Sequence, residues 1–178
     1  MSPKPLKTLR PLDVANEEFQ VSKTYVWGTI IAVWLASLLP WRTWPGSPDI
    51  LLLILAFWCA YGAPGVGMVA AFIFGILMDV HDTNVLGRHA LHYVLVLYAI
   101  LIVRKRMMQF DVFAHFLHVL PIFVLAAIPS RLFEAWIEGE WPGWSWMWSG
   151  LLTALLWLAA DLILKLPTRP VDDDDGLN

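Results

Sequence analysis

The sequence predicts an all-α integral membrane protein with six transmembrane helices, two of them short, and both termini in the cytoplasm. Three observations lead there. Hydrophobic residues make up 58% of the chain and charged ones only 15%, against about 25% charged in ordinary soluble domains. The apolar residues come in blocks, and crossing a bilayer takes about 20 apolar residues of helix, or about 17 at the short end. The basic residues between the blocks are strongly biased to alternate connections, as the positive-inside rule requires.

Four blocks read directly as spans: Thr24–Leu39, Ala90–Val103 approached from Leu86, Val112–Ile128, and Ser145–Leu166. The stretch Ile50–Met78 holds no charged residue. As one helix it would run about 43 Å, too long for a hydrocarbon core of about 30 Å. Its middle reads Tyr61-Gly62-Ala63-Pro64-Gly65, a turn signature. Two short helices follow, Pro48–Tyr61 with Ser47 as N-cap, and Pro64–Val80 with Pro64 in the first turn, where its missing N–H does no harm. Domain organisation is then an N-terminal cytoplasmic tail (1–22), a six-helix membrane domain (23–166) and a short acidic tail (167–178) that reads as disordered around Asp172–Asp175. The N-terminus lacks the pattern of a cleaved signal peptide.

Charge tests the count. With six spans, Lys4, Lys7, Arg10, Lys23, Arg104, Lys105, Arg106, Lys165 and Arg169 are cytoplasmic, and only Arg42, Arg88 and Arg131 lie outside, nine against three of the twelve Lys and Arg. Five spans would split them six and six. Tryptophan agrees: seven of eleven (Trp41, Trp44, Trp136, Trp141, Trp144, Trp146 and Trp148) fall in or beside outer connections, where indoles favour the interface. The segment 131–144 mixes acids with aromatics and reads as lying on the surface.

Several patterns bear on chemistry. Ala63, Gly67, Ala71 and Gly75 recur every four residues, and Asp79 continues the row. Such a stripe lets a second backbone come close, the main source of helix attraction in lipid. Packing within this chain is the preferred reading, a partner's helix the other. The stretch Asp79–Leu91 concentrates Asp79, His81, Asp82, Arg88 and His89, with His92 following. Asp79 either caps helix three or pairs with Arg88. No established metal-ligand spacing is present. Asp111, as N-cap, His115 and His118 share a face of helix five, and Pro121 is expected to kink it. Asp161 and Lys165 are spaced as an i,i+4 pair. The two polar clusters, Asp79–His92 and Asp111–His118, fall toward opposite faces of the membrane. No nucleophile elbow, zinc-protease helix or P-loop is present, and the net charge of −3 argues against a nucleic-acid partner. No catalytic, cofactor or metal residue is assigned.

Residues 50–92 resemble the bacterial rod-shape-determining protein MreD family: a short apolar helix, then Pro64-Gly65-Val66-Gly67, Gly75 and Asp79, Leu86-Gly87, and His89-Ala90-Leu91. Six apolar segments and the basic cluster Arg104–Arg106 fit as well. The resemblance implies a non-catalytic subunit of the elongation machinery in the bacterial inner membrane, bound to MreC. The wider machine holds MreB, a SEDS glycosyltransferase and a penicillin-binding transpeptidase, and membrane lipids surround the subunit. It also implies a fold similar to the substrate-binding subunit of energy-coupling-factor transporters, which supplies the alternative: a small-molecule-binding transporter subunit. The family-pattern positions are Pro64, Gly67, Gly75, Asp79, Gly87 and His89. With Ala71 of the stripe they are the candidate structural or partner-interface residues.

Overall fold

The computed structural model describes residues 22–40, 44, 46–82, 85–107 and 112–165. Secondary structure among them is entirely helical: α1 (Lys23–Ser37), α2 (Ile50–Ala60), α3 (Met68–Asp82), α4 (Arg88–Met107), α5 (Val112–Leu125), α6 (Ala127–Glu138) and α7 (Ser145–Lys165).

The organising element is α2. It is apolar on every side, and every residue from Leu51 to Ala60 is buried, as expected of a helix with no polar stripe. It packs on α1, α4 and α7. Phe57 meets Trp157 with ring centroids 5.7 Å apart, and Trp58 meets Tyr25 edge-on at 5.8 Å. The Trp58 indole N–H donates to Thr29 Oγ1 at 2.9 Å. At eleven residues α2 is only about 16 Å long. Both its ends therefore stop inside the bundle, where polar groups need internal partners.

Those partners define two ends of the bundle. At one, the Tyr61 hydroxyl donates to Asp161 Oδ1 at 2.6 Å, tying the end of α2 to the end of α7. Arg104 of α4 lies over Gly62, and Trp27 of α1 lies against Gly65. At the other end, Asp49 at the start of α2 meets Tyr93 near the start of α4 and Thr153 near the start of α7. Consecutive helices thus alternate in direction, up to the joint between α5 and α6.

Several expectations are corrected. Asp49, not Ser47, caps α2: its Oδ1 accepts the Leu52 N–H at 3.1 Å, and the helix begins at Ile50, not Pro48. Pro64 does not start α3. Residues 61–67 make turns in which Gly62 and Gly65 take φ of 73° and 85°, and α3 begins at Met68. Ala63 and Gly67 therefore precede the helix, and only Ala71, Gly75 and Asp79 form its stripe. From Arg131 through Glu138 the chain is the larger part of α6, which continues α5 across Ala126, whose N–H still reaches Ile122 O at 3.0 Å. The joint sits where Pro129 offers no N–H to the Leu125 carbonyl. Pro121 is accommodated within α5.

Taken together, α5 and α6 give one apolar stretch, His115–Glu138, that is long enough to cross a membrane, and Ser145–Leu164 gives a second. Large apolar side chains are exposed along the helices, among them Val69, Phe72, Ile102, Phe113, Leu117 and Ile163.

Candidate functional site

The site grows from one close approach. Gly75 of α3 lies directly on α4: a Cβ there would overlap the Cα of Ala90 and sit 2.7 Å from its backbone nitrogen. Only a residue without a side chain allows this contact. It brings the last turns of α3 to the start of α4, where the first N–H groups of a helix lack intrahelical partners. Asp79 supplies them. Its carboxylate accepts from Gly87 N–H at 2.9 Å, His89 N–H at 2.7 Å and Ala90 N–H at 3.2 Å. A carboxylate here also complements the positive end of the helix dipole. Gly87, at φ 99°, makes the turn that allows it. Asp79 is thus the cap of α4, not of α3, and Arg88 pairs elsewhere.

Around this cap the polar side chains interlock. Arg88 Nη1 donates to Glu134 Oε1 at 2.9 Å, and Arg131 Nη1 donates to Glu134 Oε2 at 2.8 Å. One buried carboxylate thus bridges two guanidinium groups. The His89 ring sits 3.1 Å from Asp82 Oδ2, 2.7 Å from Arg88 Nη2 and 4.0 Å from Asp49 Oδ2. Asp82 also meets His81 Nδ1 at 3.0 Å. Asp49 accepts the Tyr93 hydroxyl at 2.9 and 2.8 Å, while its own N–H donates to Thr153 Oγ1 at 2.8 Å.

Several of these residues wall a cavity of about 600 Å³ at this end of the bundle. Asp49, Asp82, Arg88, His89, His92 and Arg131 form its polar side. Leu39, Leu52, Phe123 and Ala127 form apolar wall, and Trp44 and Trp146 stand beside it. The short α2 explains the space: the helix at the centre of the bundle stops at Asp49, and the surrounding helices run past it.

Of the sequence-nominated positions, Gly75, Asp79, Gly87 and His89 come together on the α3–α4 contact, and Ala71 is buried one turn before Gly75 on α3. Pro64 and Gly67 lie at the opposite end, in the turn before α3. The sequence reading missed Asp49, Tyr93, Arg131, Glu134 and Thr153. Two signals were present: Asp49 directly precedes an apolar run, and Arg131 and Glu134 stand at i,i+3. Asp111 lies outside the described residues, as do residues 1–21 and 166–178 and the side chain of Lys165. His115 is buried and His118 half-buried on α5, and neither lines the cavity. Asp161 accepts from the Tyr61 hydroxyl, and its expected pairing with Lys165 falls on a side chain outside the described residues.

Among the described residues, an all-helical bundle with two helices fit to span a membrane, and with its buried acids Asp49, Asp79, Glu134 and Asp161 held by hydrogen bonds or ion pairs, is the class of protein that these features define. The family model described as rod shape-determining protein MreD matches residues 21–166. The chain belongs to that family, and is accordingly a membrane-associated protein of rod-shape determination. No curated protein and no solved structure gives a significant match.

Proposed function

We propose that this chain is a non-catalytic, multi-pass subunit of the bacterial cytoplasmic membrane that binds an MreC-like protein and helps organise peptidoglycan synthesis in the cell-elongation complex. The family match over residues 21–166 carries this reading. The arrangement of charge supports it. The end of the bundle bearing Lys23, Arg104, Lys105 and Arg106 faces the cytoplasm, with both termini. The opposite end holds Arg88 and Arg131, both paired with Glu134. The exposed apolar side chains between the two ends then face lipid, and the SEDS glycosyltransferase, the penicillin-binding transpeptidase and MreB are further members of the assembly.

The cavity favours a second reading, the small-molecule-binding subunit of an energy-coupling-factor-type transporter, because convergent polar groups in a cleft suit a small ligand. Purification of the tagged full chain from its native membranes separates the two. Stable recovery of an MreC-like protein, with loss of rod shape on depletion, is the expected result. Recovery of transporter ATPase subunits, or rod shape maintained on depletion, would overturn it.

A further inference from the structure

We propose that the acidic segment Asp172–Asp175 of this chain docks on the basic end of α4, Arg104–Arg106, and holds it against anionic lipid headgroups. Charge is shared unevenly between the two ends of the bundle. Among the described residues, Asp49, Asp79, Asp82, Glu134, Glu138 and Glu140 lie at the end that holds Arg88 and Arg131. The other end holds Lys23, Arg104, Lys105 and Arg106 against a single described acid, Asp161, which accepts from the Tyr61 hydroxyl at 2.6 Å. Lys23, Lys105 and Arg106 are exposed and Arg104 is half-buried, and none of the four has an ion pair among the described residues. The dipole of α4 does not account for them. A helix C-terminus carries about half an elementary negative charge, and Arg104, Lys105 and Arg106 all stand in the last turn.

Position and charge together name the occupant. α7 ends at Lys165, one turn beyond Asp161, and Asp161 is tied through Tyr61 to the end of α2, where Arg104 lies over Gly62. The ends of α4 and α7 therefore finish on the same side of the bundle. Both helices pack on α2, and two helices that share a neighbour stand at most about 20 Å apart, axis to axis. Six residues, Leu166–Val171, separate Lys165 from Asp172, and that length of chain reaches up to about 23 Å. The span is within range. Asp172–Asp175 is the longest acidic run of the chain and Arg104–Arg106 the longest basic one. A lipid headgroup brings one anion at a time, whereas the run brings four on adjacent residues. Guanidinium pairs with carboxylate through two parallel hydrogen bonds. A short tether also keeps those carboxylates beside the patch at an effective concentration of about a millimolar.

The test uses the full chain in nanodiscs of equal parts phosphatidylcholine and phosphatidylglycerol, neither of which carries a free amine. A zero-length carbodiimide joins a lysine amine to a carboxylate in contact with it. Peptide mass spectrometry then compares the link from Lys105 to Asp172–Asp175 with the link from Lys165 to the same run, a reference set by closeness in sequence. The Lys105 link is expected within single chains at low ionic strength. It should be lost in about 1 M sodium chloride, where the screening length is about 3 Å. Arg106→Gln removes one cation from an exposed site and leaves Lys105 to report; Asp172→Asn with Asp173→Asn leaves Asp174 and Asp175 to report. Each is expected to lower the ratio of the two links about threefold, the weight of one exposed ion pair. Absence of the Lys105 link, or a link unchanged by salt or by both variants, would overturn the proposal. So would a link found only in cross-linked dimers, which would assign the run to a second copy. A link that forms in phosphatidylcholine alone and is lost with phosphatidylglycerol would assign the patch to lipid headgroups instead. None of these results bears on recovery of an MreC-like partner, so the two proposals fail separately.

Discussion

The carboxylate of Asp79 holds the backbone N–H of His89 at 2.7 Å, so the last turn of α3 supplies the N-terminal cap of α4. Two further N–H groups, of Gly87 and Ala90, depend on the same side chain. Asp79→Ala would leave all three without this acceptor, and the donors of His89 and Ala90 are buried. The expected loss is about 3 kcal/mol, that of one or two charged hydrogen bonds together with the cost of stranded donors. It should appear as a lower unfolding temperature in detergent. An unchanged unfolding temperature would show that the cap contributes nothing.

Gly75 and Gly67 belong to one stripe in the sequence but have opposite surroundings. A side chain on Gly75 meets the backbone of Ala90, which cannot rotate away, whereas a side chain on Gly67 meets nothing within 4 Å. Gly75→Ala should therefore lower the folded fraction recovered by size exclusion, with overpacking of about 1–3 kcal/mol. Gly67→Leu should leave it unchanged. Equal effects at both positions would refute the packing argument.

Glu134 is the shared partner of Arg88 and Arg131. Its removal leaves two guanidinium groups facing each other without a carboxylate between them. Glu134→Ala should cost about 3–5 kcal/mol, the range for a broken buried pair. Arg131→Ala should cost less, because Arg88 still balances the acid. A double-mutant cycle on Arg131 and Glu134 measures the coupling, and a coupling near zero would mean that the pair is decorative.

Topology is open to labelling. The only cysteine, Cys59, is buried in α2, so Cys59→Ala gives a clean background at the cost of a small cavity. In that background Trp141→Cys should react with an impermeant maleimide added from outside the cell, and Arg106→Cys only after the membrane is opened. The reverse order would overturn the orientation proposed from charge.

Much of the helix framework was legible in the sequence. The apolar blocks that became α1, α2, α4, α5 and α7 announced themselves, because a buried or lipid-facing helix must be apolar along its own length. The turn at Gly87 and the break between α2 and α3 were legible for a similar reason, since glycine tolerates the positive φ that such turns demand. These are local properties, set within a few residues.

The site itself was decided by packing. Asp49 meets Tyr93 across 44 residues of chain and Thr153 across 104, and Arg88 reaches Glu134 across 46. No periodicity records such pairs. Ser47, Pro64 and Gly67 each carried a correct local signal, yet Asp49 took the cap, Met68 began the helix and Gly67 faced open space. Those outcomes followed from where α3 settles on α4 and from how early α2 ends. The close approach at Gly75 sets the first, and the need to satisfy polar helix ends inside the bundle sets the second.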